Sequence, residues 1–116
     1  MGDALTVIGL GYVGLPLSQE ACRSGFQVTG FDVSTTVLDG LGAGHSHVDD
    51  LSDDEVVVMQ SEGFTVTDDP SCIASSDVVV ICVPTPLSDD GTPDLGAVAG
   101  AATSTGEHLR AGTLVV

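Results

Sequence analysis

Basic residues are nearly absent from this chain: its 116 residues include only two Lys and Arg, against 17 Asp and Glu, for a formal net charge of -15. Such a surface repels the phosphates of nucleic acids and anionic lipids, so we expect neither nucleic acid nor a membrane as a partner. A phosphate-bearing ligand would have to be held by backbone N–H groups and a helix dipole rather than by cationic side chains.

Aromatic residues are also scarce, at 3% of the chain, and tryptophan is absent. The core must therefore come from Val, Leu, Ile and Ala, which suits a buried parallel sheet flanked by helices. No apolar run reaches the length of a membrane span, and the first residues lack the basic stretch of a secretory signal. The three cysteines lack metal-type spacing, and their odd number favours a reducing, cytoplasmic setting.

Apolar runs alternate with helical patterns along the chain, which is typical of a βαβ series. Right-handed crossovers then favour a doubly wound, Rossmann-type α/β fold with a parallel sheet in the order 3-2-1-4-5, truncated after the fifth strand. We expect residues 1–116 to form a single domain. The predicted strands are residues 5–8, 27–31, 64–67, 78–82 and 113–116, and the predicted helices are 12–23, 34–41, 52–61, a short one from Asp69-Pro70, and 94–109.

The six residues after the first strand, GLGYVG, match the pattern G-x-G-x-x-G between a strand and a helix. In this setting Gly9 permits the tight turn, Gly11 lets backbone approach a pyrophosphate, and Gly14 lets the helix pack closely on the strand. The N–H groups near Gly11, Tyr12 and Val13 would then face phosphates at the positive end of the helix.

An acidic residue, Asp32, ends the second predicted strand. A carboxylate at this place accepts hydrogen bonds from the ribose hydroxyls of NAD and repels the 2′-phosphate of NADP, so NAD is the expected cofactor. Two alternatives remain open: a glycine turn needed only for packing, with Asp32 as a helix cap, and a site for FAD or a methyl-donor nucleotide.

The fourth strand leads into Val83-Pro84-Thr85-Pro86, where two prolines stiffen the loop around a hydroxyl. Ligands of open α/β sheets bind outside the carboxyl ends of the strands, where the strand order reverses. The Thr85 hydroxyl could therefore reach the ribose or nicotinamide end of a dinucleotide. The alternative is a rigid loop without ligand contact.

Four segments together resemble the UDP-glucose/UDP-N-acetylhexosamine (GDP-mannose-type) 6-dehydrogenase family: VIGLGYVGLP at 7–16, FDV at 31–33, ICVPTPL at 81–87 and PDL at 93–95. The resemblance covers essentially the whole chain, as that family's N-terminal NAD-binding domain. Residues 82–87, with 46–50, look closer to the UDP-N-acetylglucosamine or UDP-N-acetylmannosamine branch than to the UDP-glucose enzymes.

The resemblance implies a role for each matching residue: backbone contacts to the pyrophosphate after the first strand, a carboxylate on the adenosine ribose, and a nicotinamide-side wall from the fourth strand. Family members usually carry Arg or Lys four or five residues after the ribose acid, where this chain has Thr36 and Val37. The predicted cofactor-binding residues are Gly9, Gly11, Tyr12, Val13, Gly14, Asp32, Val33, Val83, Pro84 and Thr85.

In the family, the C6 alcohol of a nucleotide-linked sugar is oxidised to a carboxylate in two steps, with reduction of two NAD. The nucleophilic cysteine, the lysine and the sugar-nucleotide pocket lie in a following region, as do the dimer contacts. We therefore expect a UDP-sugar to bind through that region, a homodimer for the full-length protein, and no turnover by these 116 residues alone. The alternatives are a hydroxyacid or 6-phosphogluconate-type dehydrogenase, and a free-standing NAD-binding module.

Two further groups of reactive residues are not expected to act. Cys22, Cys72 and Cys82 fall in predicted helices or a buried strand, where cysteine behaves as a small hydrophobe, so we predict no catalytic residue here. His45 and His47 have no third ligand at metal-type spacing, so we predict a solvated loop and no metal site.

Overall fold

The computed structural model describes residues 3–48, 51–82, 106 and 114–115. In these ranges, the order of helices and strands agrees with the predicted βαβ alternation. The strands are β1 (Ala4–Ile8), β2 (Gln27–Phe31), β3 (Thr65–Thr67), β4 (Val78–Ile81) and β5 (Leu114–Val115). The helices are α1 (Gly14–Arg23), α2 (Thr35–Gly42) and α3 (Asp53–Ser61), with a 3₁₀ helix at Pro70–Ser75.

The five strands form one parallel sheet in the order β3-β2-β1-β4-β5, so the predicted doubly wound topology is confirmed. In the sheet, β1 lies between β2 and β4, with Ile8 opposite both Phe31 and Ile81. The carboxyl ends of these three strands therefore meet at one edge. The strand order reverses at this edge, which is where open α/β sheets bind their ligands.

The sheet separates two apolar clusters, because alternate residues of a strand point to opposite faces. On β1, Leu5 and Val7 join the larger cluster, which also contains buried residues of α1, α2 and α3. Ile8 joins the smaller cluster, together with Ile73 of the 3₁₀ helix. Helical segments thus cover both faces of the sheet.

Helix α1 begins two residues later than predicted, at Gly14, and buries a different face. The spacing of Val13, Leu17 and Ala21 in the sequence predicts that these three residues form the buried apolar face. This prediction is wrong, since Val13 and Leu17 are exposed. The residues that pack on the sheet also recur at helical spacing, but their face is shifted by about one residue from the predicted one. They are Gly14, Leu15, Ser18, Ala21 and Cys22. Small residues fill most of this face because α1 lies close to the strands beneath it.

Burial along β4 is less complete than the apolar run predicts. Val79 is buried, whereas Val78, Val80 and Ile81 are half-buried. In the described part of the chain, β5 pairs only with Val78 and Val79, so the last residues of β4 have a strand neighbour on one side.

Two parts of the predicted architecture lie outside the described residues: the proline-containing loop 83–93 and all but Gly106 of the predicted helix 94–109. Within the described ranges, none of the helices is both long and apolar enough to cross a membrane.

Candidate dinucleotide site

The turn after β1 lies beside the end of β2 and is tied to it by backbone. The Gly9 N–H donates to the Phe31 carbonyl at 2.8 Å. Gly9 has a φ of 96°, in the left-handed region that favours glycine, so it makes the turn as predicted. The Gly9 and Asp32 positions are therefore neighbours at the carboxyl edge of the sheet.

The other two glycines of the turn differ sharply in their surroundings. A Cβ at Gly14 would lie 1.7 Å from the Gly9 carbonyl oxygen and 3.3 Å from the Cβ of Cys82. A Cβ at Gly11 would meet nothing within 4 Å. Gly14 is thus required for close packing of helix on strand, whereas space beside Gly11 is open for a ligand to approach the backbone.

The first turn of α1 is not capped by a side chain. Its N-cap residue is Val13, which has no side-chain oxygen, and no side-chain cap hydrogen bond forms. The first N–H groups of a helix have no partner within the helix and carry the positive end of its dipole. Tyr12 and Val13 are each 68% exposed, so this end of the helix faces solvent.

The Asp32 carboxylate is fixed by two backbone donors. The Leu10 N–H donates to Oδ2 at 3.0 Å, and the Ser34 N–H donates to Oδ1 at 2.9 Å. Each carboxylate oxygen can accept more than one hydrogen bond, so both retain capacity for ribose hydroxyls. Asp32 therefore joins the glycine turn to the start of α2, where Ser34, not Asp32, is the N-cap.

Two contributors to this site were missed by the sequence reasoning. Leu10 is fully buried, and a Cβ at Gly30 would lie 2.8 Å from both of its terminal methyl carbons. Gly30 thus makes room in β2 for Leu10, and a glycine inside a strand is a recognised sign of such close approach. Burial of a leucine side chain contributes about 1.5–3 kcal/mol, which anchors the turn.

The second missed contributor is His47. Its Nε2 donates a hydrogen bond to the Leu10 carbonyl, so the loop predicted to be merely solvated reaches the glycine turn. The neighbouring His45 lies instead 3.2 Å from Asp53 Oδ2 through Nδ1. In the described ranges, no three His, Cys, Asp or Glu side chains are placed to hold a metal ion.

The remaining predicted residues are spread between exposed and undescribed positions. Val33, beside Asp32, is 82% exposed. Val83, Pro84 and Thr85 lie outside the described residues, so their assignment to a nicotinamide-side wall stays a prediction.

None of the three cysteine thiols is placed as an activated nucleophile. Burial, with the nearby Glu62 carboxylate, raises the pKa of Cys22 to about 11. Burial also raises the pKa of Cys72 and of Cys82. Since the thiolate is the reactive form, these shifts favour the prediction that the chain holds no catalytic cysteine.

A separate crevice, with a cavity of about 150 Å³, lies between α1 and α3. Its lining includes Arg23, Asp54, Glu55 and Glu62. The arginine is paired with carboxylates, at 4.0 Å from Glu55, and the acids outnumber it. Because this lining is acidic and lies away from the glycine turn, we do not assign the dinucleotide to it.

The described residues fit NAD, because the open face of Gly11, the uncapped start of α1 and the Asp32 carboxylate lie at one edge. These features, on a parallel sheet of order 3-2-1-4-5, define a Rossmann-type dinucleotide-binding domain. The family model for the NAD binding domain of the UDP-glucose/GDP-mannose dehydrogenase family matches residues 3–116. The chain belongs to this family, as its NAD-binding domain.

Named relatives agree with this assignment. The UDP-N-acetyl-D-mannosamine dehydrogenase of Pyrococcus horikoshii is 34% identical over 114 residues, which are 97% of this chain and 27% of the relative. A solved structure of that enzyme covers 97% of this chain and 27% of its own, with 35% identity and a TM-score of 0.89. A solved structure of the GDP-mannose dehydrogenase of Pseudomonas aeruginosa matches 92% of this chain and 25% of its own length, with 29% identity and a TM-score of 0.80. The chain thus spans about a quarter of these proteins.

Proposed function

We propose that this chain is the NAD-holding domain of a nucleotide-sugar 6-dehydrogenase, whose full-length form oxidises the C6 alcohol of a UDP-sugar to the uronic acid. The observation that carries the proposal is the exposed, uncapped start of α1 next to the open face of Gly11. When bound, NAD supplies the hydride acceptor.

The proposed contacts divide between backbone and one carboxylate. The turn made by Gly9 and closed by Gly14 presents backbone amides near Gly11, Tyr12 and Val13 to the pyrophosphate. Asp32 and Val33 lie on the adenosine side, with the Asp32 carboxylate accepting from the ribose hydroxyls. The proposed nicotinamide-side wall is Val83, Pro84 and Thr85.

The negative charge of the chain strengthens the case for backbone recognition. Of its two basic residues, Arg23 ends α1, at the opposite end from the glycine turn. Within the part of the chain that the structure describes, no Lys or Arg takes the place of the basic residue expected at Thr36 or Val37, since α2 begins with Thr35-Thr36-Val37. We therefore propose that backbone amides and the helix dipole supply the attraction for the pyrophosphate.

We infer that residues 1–116 act as one cofactor-binding unit, with the sugar-nucleotide pocket and the nucleophile supplied by a region outside them. On this proposal the 116 residues alone have no turnover, and the full-length protein is a cytoplasmic homodimer. The match over residues 3–116 favours this function over a hydroxyacid or 6-phosphogluconate-type dehydrogenase and over a non-enzymatic module.

The substrate is proposed to be a UDP-N-acetylhexosamine rather than UDP-glucose. Relatives named UDP-N-acetyl-D-mannosamine dehydrogenase are 34% and 35% identical to this chain over the 114 residues that align. The activity test is an assay of the full-length protein with UDP-N-acetylmannosamine, UDP-glucose and a hydroxyacid, following NADH absorbance. Oxidation of a UDP-sugar is expected, and oxidation of the hydroxyacid alone would overturn the proposal.

Cofactor binding is tested by titration with NAD and NADP, with Gly11→Ala as the site variant. A methyl group at Gly11 meets nothing in the protein but occupies the approach to the pyrophosphate, so the Kd for NAD should rise by about tenfold or more. Gly42→Ala, also in open space, is the control and should leave the Kd unchanged. Equal NAD binding by wild type and Gly11→Ala, or a preference for NADP, would contradict the assignment.

A further inference from the structure

We propose that His47 is a positioning residue for the NAD site: it orients the Leu10–Gly11 peptide and thereby aims the Gly11 N–H. The inference rests on the proposed function, since it assumes that the Gly11 amide faces the pyrophosphate. The contact that carries it is the hydrogen bond from His47 Nε2 to the Leu10 carbonyl.

Leu10 is held at three points. Its side chain is fully buried against Gly30, its N–H donates to Asp32 Oδ2 at 3.0 Å, and its carbonyl accepts from His47. The first two contacts fix the residue on the side of β2. The third fixes the peptide that follows it.

Because the peptide bond is rigid, the hydrogen bond to the Leu10 carbonyl also affects the N–H that faces the proposed ligand. The Leu10 carbonyl and the Gly11 N–H belong to one planar, trans peptide, in which the two groups point in opposite directions. Anchoring the carbonyl therefore sets the direction of the N–H. Gly11 needs such an anchor because glycine has more backbone freedom than any other residue.

The loop that carries His47 is itself held on both sides. The Ser46 N–H donates to Asp53 Oδ1 at 2.8 Å, at the start of α3. On the other side, Val48 is buried, and its N–H donates to the Ser46 hydroxyl at 3.2 Å. Hydrogen bonds on both sides of His47 thus hold the loop from which it contacts the glycine turn. His45 contacts Asp53 instead and does not reach the turn.

The bond needs a proton on His47 Nε2, because a carbonyl only accepts. That proton is present both in one neutral tautomer and in the charged imidazole, so the donor, not the charge, is the proposed contribution. An uncharged side chain of similar length with an N–H should replace it. His47→Gln keeps such a donor, and His47→Met lacks one.

The test has two measurements on the intact protein. One is the Kd for NAD, and the other is the ¹⁵N–¹H signal of Gly11 recorded in the absence of NAD. His47→Met should weaken NAD binding about threefold to tenfold, the effect of one hydrogen bond, and move the Gly11 signal. His47→Gln should keep both near wild type, and the control His45→Met should leave both unchanged. His47→Ala is a second donor-free variant, in case His47→Met does not fold.

Three results would overturn the inference: unchanged NAD affinity in both donor-free variants, equal losses in His47→Gln and His47→Met, or an equal loss in His45→Met. A wild-type protein that fails to bind NAD would instead contradict the proposed function. The two failures are therefore distinguishable in one series of titrations.

Discussion

Helices α1 and α3 begin in opposite ways. Helix α3 has Ser52 as its N-cap, with a complete capping box to Glu55 and three acidic residues in its first turn. Helix α1 has Val13 as its N-cap, no capping side chain and no acidic residue in its first turn. Helix α3 thus satisfies the N–H of its third residue with a side chain, whereas the third residue of α1, Pro16, has no N–H. At the start of α1 the Leu15 N–H donates to the Gly11 carbonyl at 3.1 Å, and no side chain covers this exposed end.

The two remaining helical segments in the described ranges resemble α3. The Ser34 hydroxyl accepts from the Val37 N–H at the start of α2, and Asp69 accepts from the Ser71 N–H at the start of the 3₁₀ helix. A side-chain cap contributes about 1 kcal/mol. Among these helices α1 alone lacks such a cap, and its start is where we propose that the diphosphate binds.

The largest expected effect is a loss of stability when Gly14→Ala disturbs the turn before α1. The added Cβ would lie 1.7 Å from the Gly9 carbonyl oxygen, a backbone atom that cannot move aside without shifting the turn. We expect the free energy of unfolding to fall by about 3 kcal/mol, measured by urea denaturation. Gly11→Ala, in open space, is the control, and equal stability of the two variants would contradict the packing described.

Giving α1 an acid like those of α3 should weaken NAD binding without harming the fold. Val13→Asp places a carboxylate where the pyrophosphate approaches, and two charges about 4 Å apart repel by ~1 kcal/mol even in water. The Kd for NAD, measured by titration calorimetry, should rise at least about fivefold. Val13→Asn has the same shape without the charge and should lose less; equal losses would exclude the electrostatic explanation.

The reverse change removes the cap from α3. Ser52→Ala leaves the Glu55 N–H, now bonded to the Ser52 hydroxyl at 3.2 Å, without its partner. We expect stability to fall by about 1 kcal/mol in urea denaturation, with the Kd for NAD unchanged. Ser61→Ala at the other end of α3 is the control, and a change in NAD affinity from Ser52→Ala would remove the distinction between the two helix starts.

The smallest expected effect is a pH dependence at the start of α3. Hydrogen bonds from Gln19 and from the Ser52 backbone lower the pKa of Glu55 from its ordinary 4.5. Because the folded form favours the carboxylate, this contribution is present above pH 4.5 and is lost as the pH falls below it. The stability difference between wild type and Glu55→Gln should therefore shrink between pH 6 and pH 3. If the difference in urea midpoint between wild type and Glu55→Gln stays constant over this pH range, the predicted contribution of the Glu55 carboxylate is refuted.

Much of the fold could be predicted from the sequence because its signals are local. The glycine pattern, the Ser52 and Asp69 caps and the apolar runs all depend on neighbouring residues, and the strand order then follows from right-handed crossovers. The buried face of α1 was predicted wrongly because its packing residues are small: a face built around Gly14 and Ser18 has little apolar signal.

The candidate site was predictable only in part, for a related reason. Gly11 and Asp32 belong to motifs that place them at the sheet edge. The roles of Gly30 and His47 depend on contacts with Leu10 across 20 and 37 positions of sequence, which no local pattern encodes. A glycine within β2 was the one available signal, since it indicates close approach by another chain segment.

The bare amides at the start of α1 have a consequence for the surface of the whole protein. Every non-proline residue carries the same backbone N–H, so attraction for a diphosphate supplied this way does not depend on which side chains the exterior bears. The exterior can therefore become strongly acidic, reaching a net charge of -15, while the molecule still holds a negatively charged coenzyme. Surface composition and coenzyme recognition are thereby separable properties of this domain.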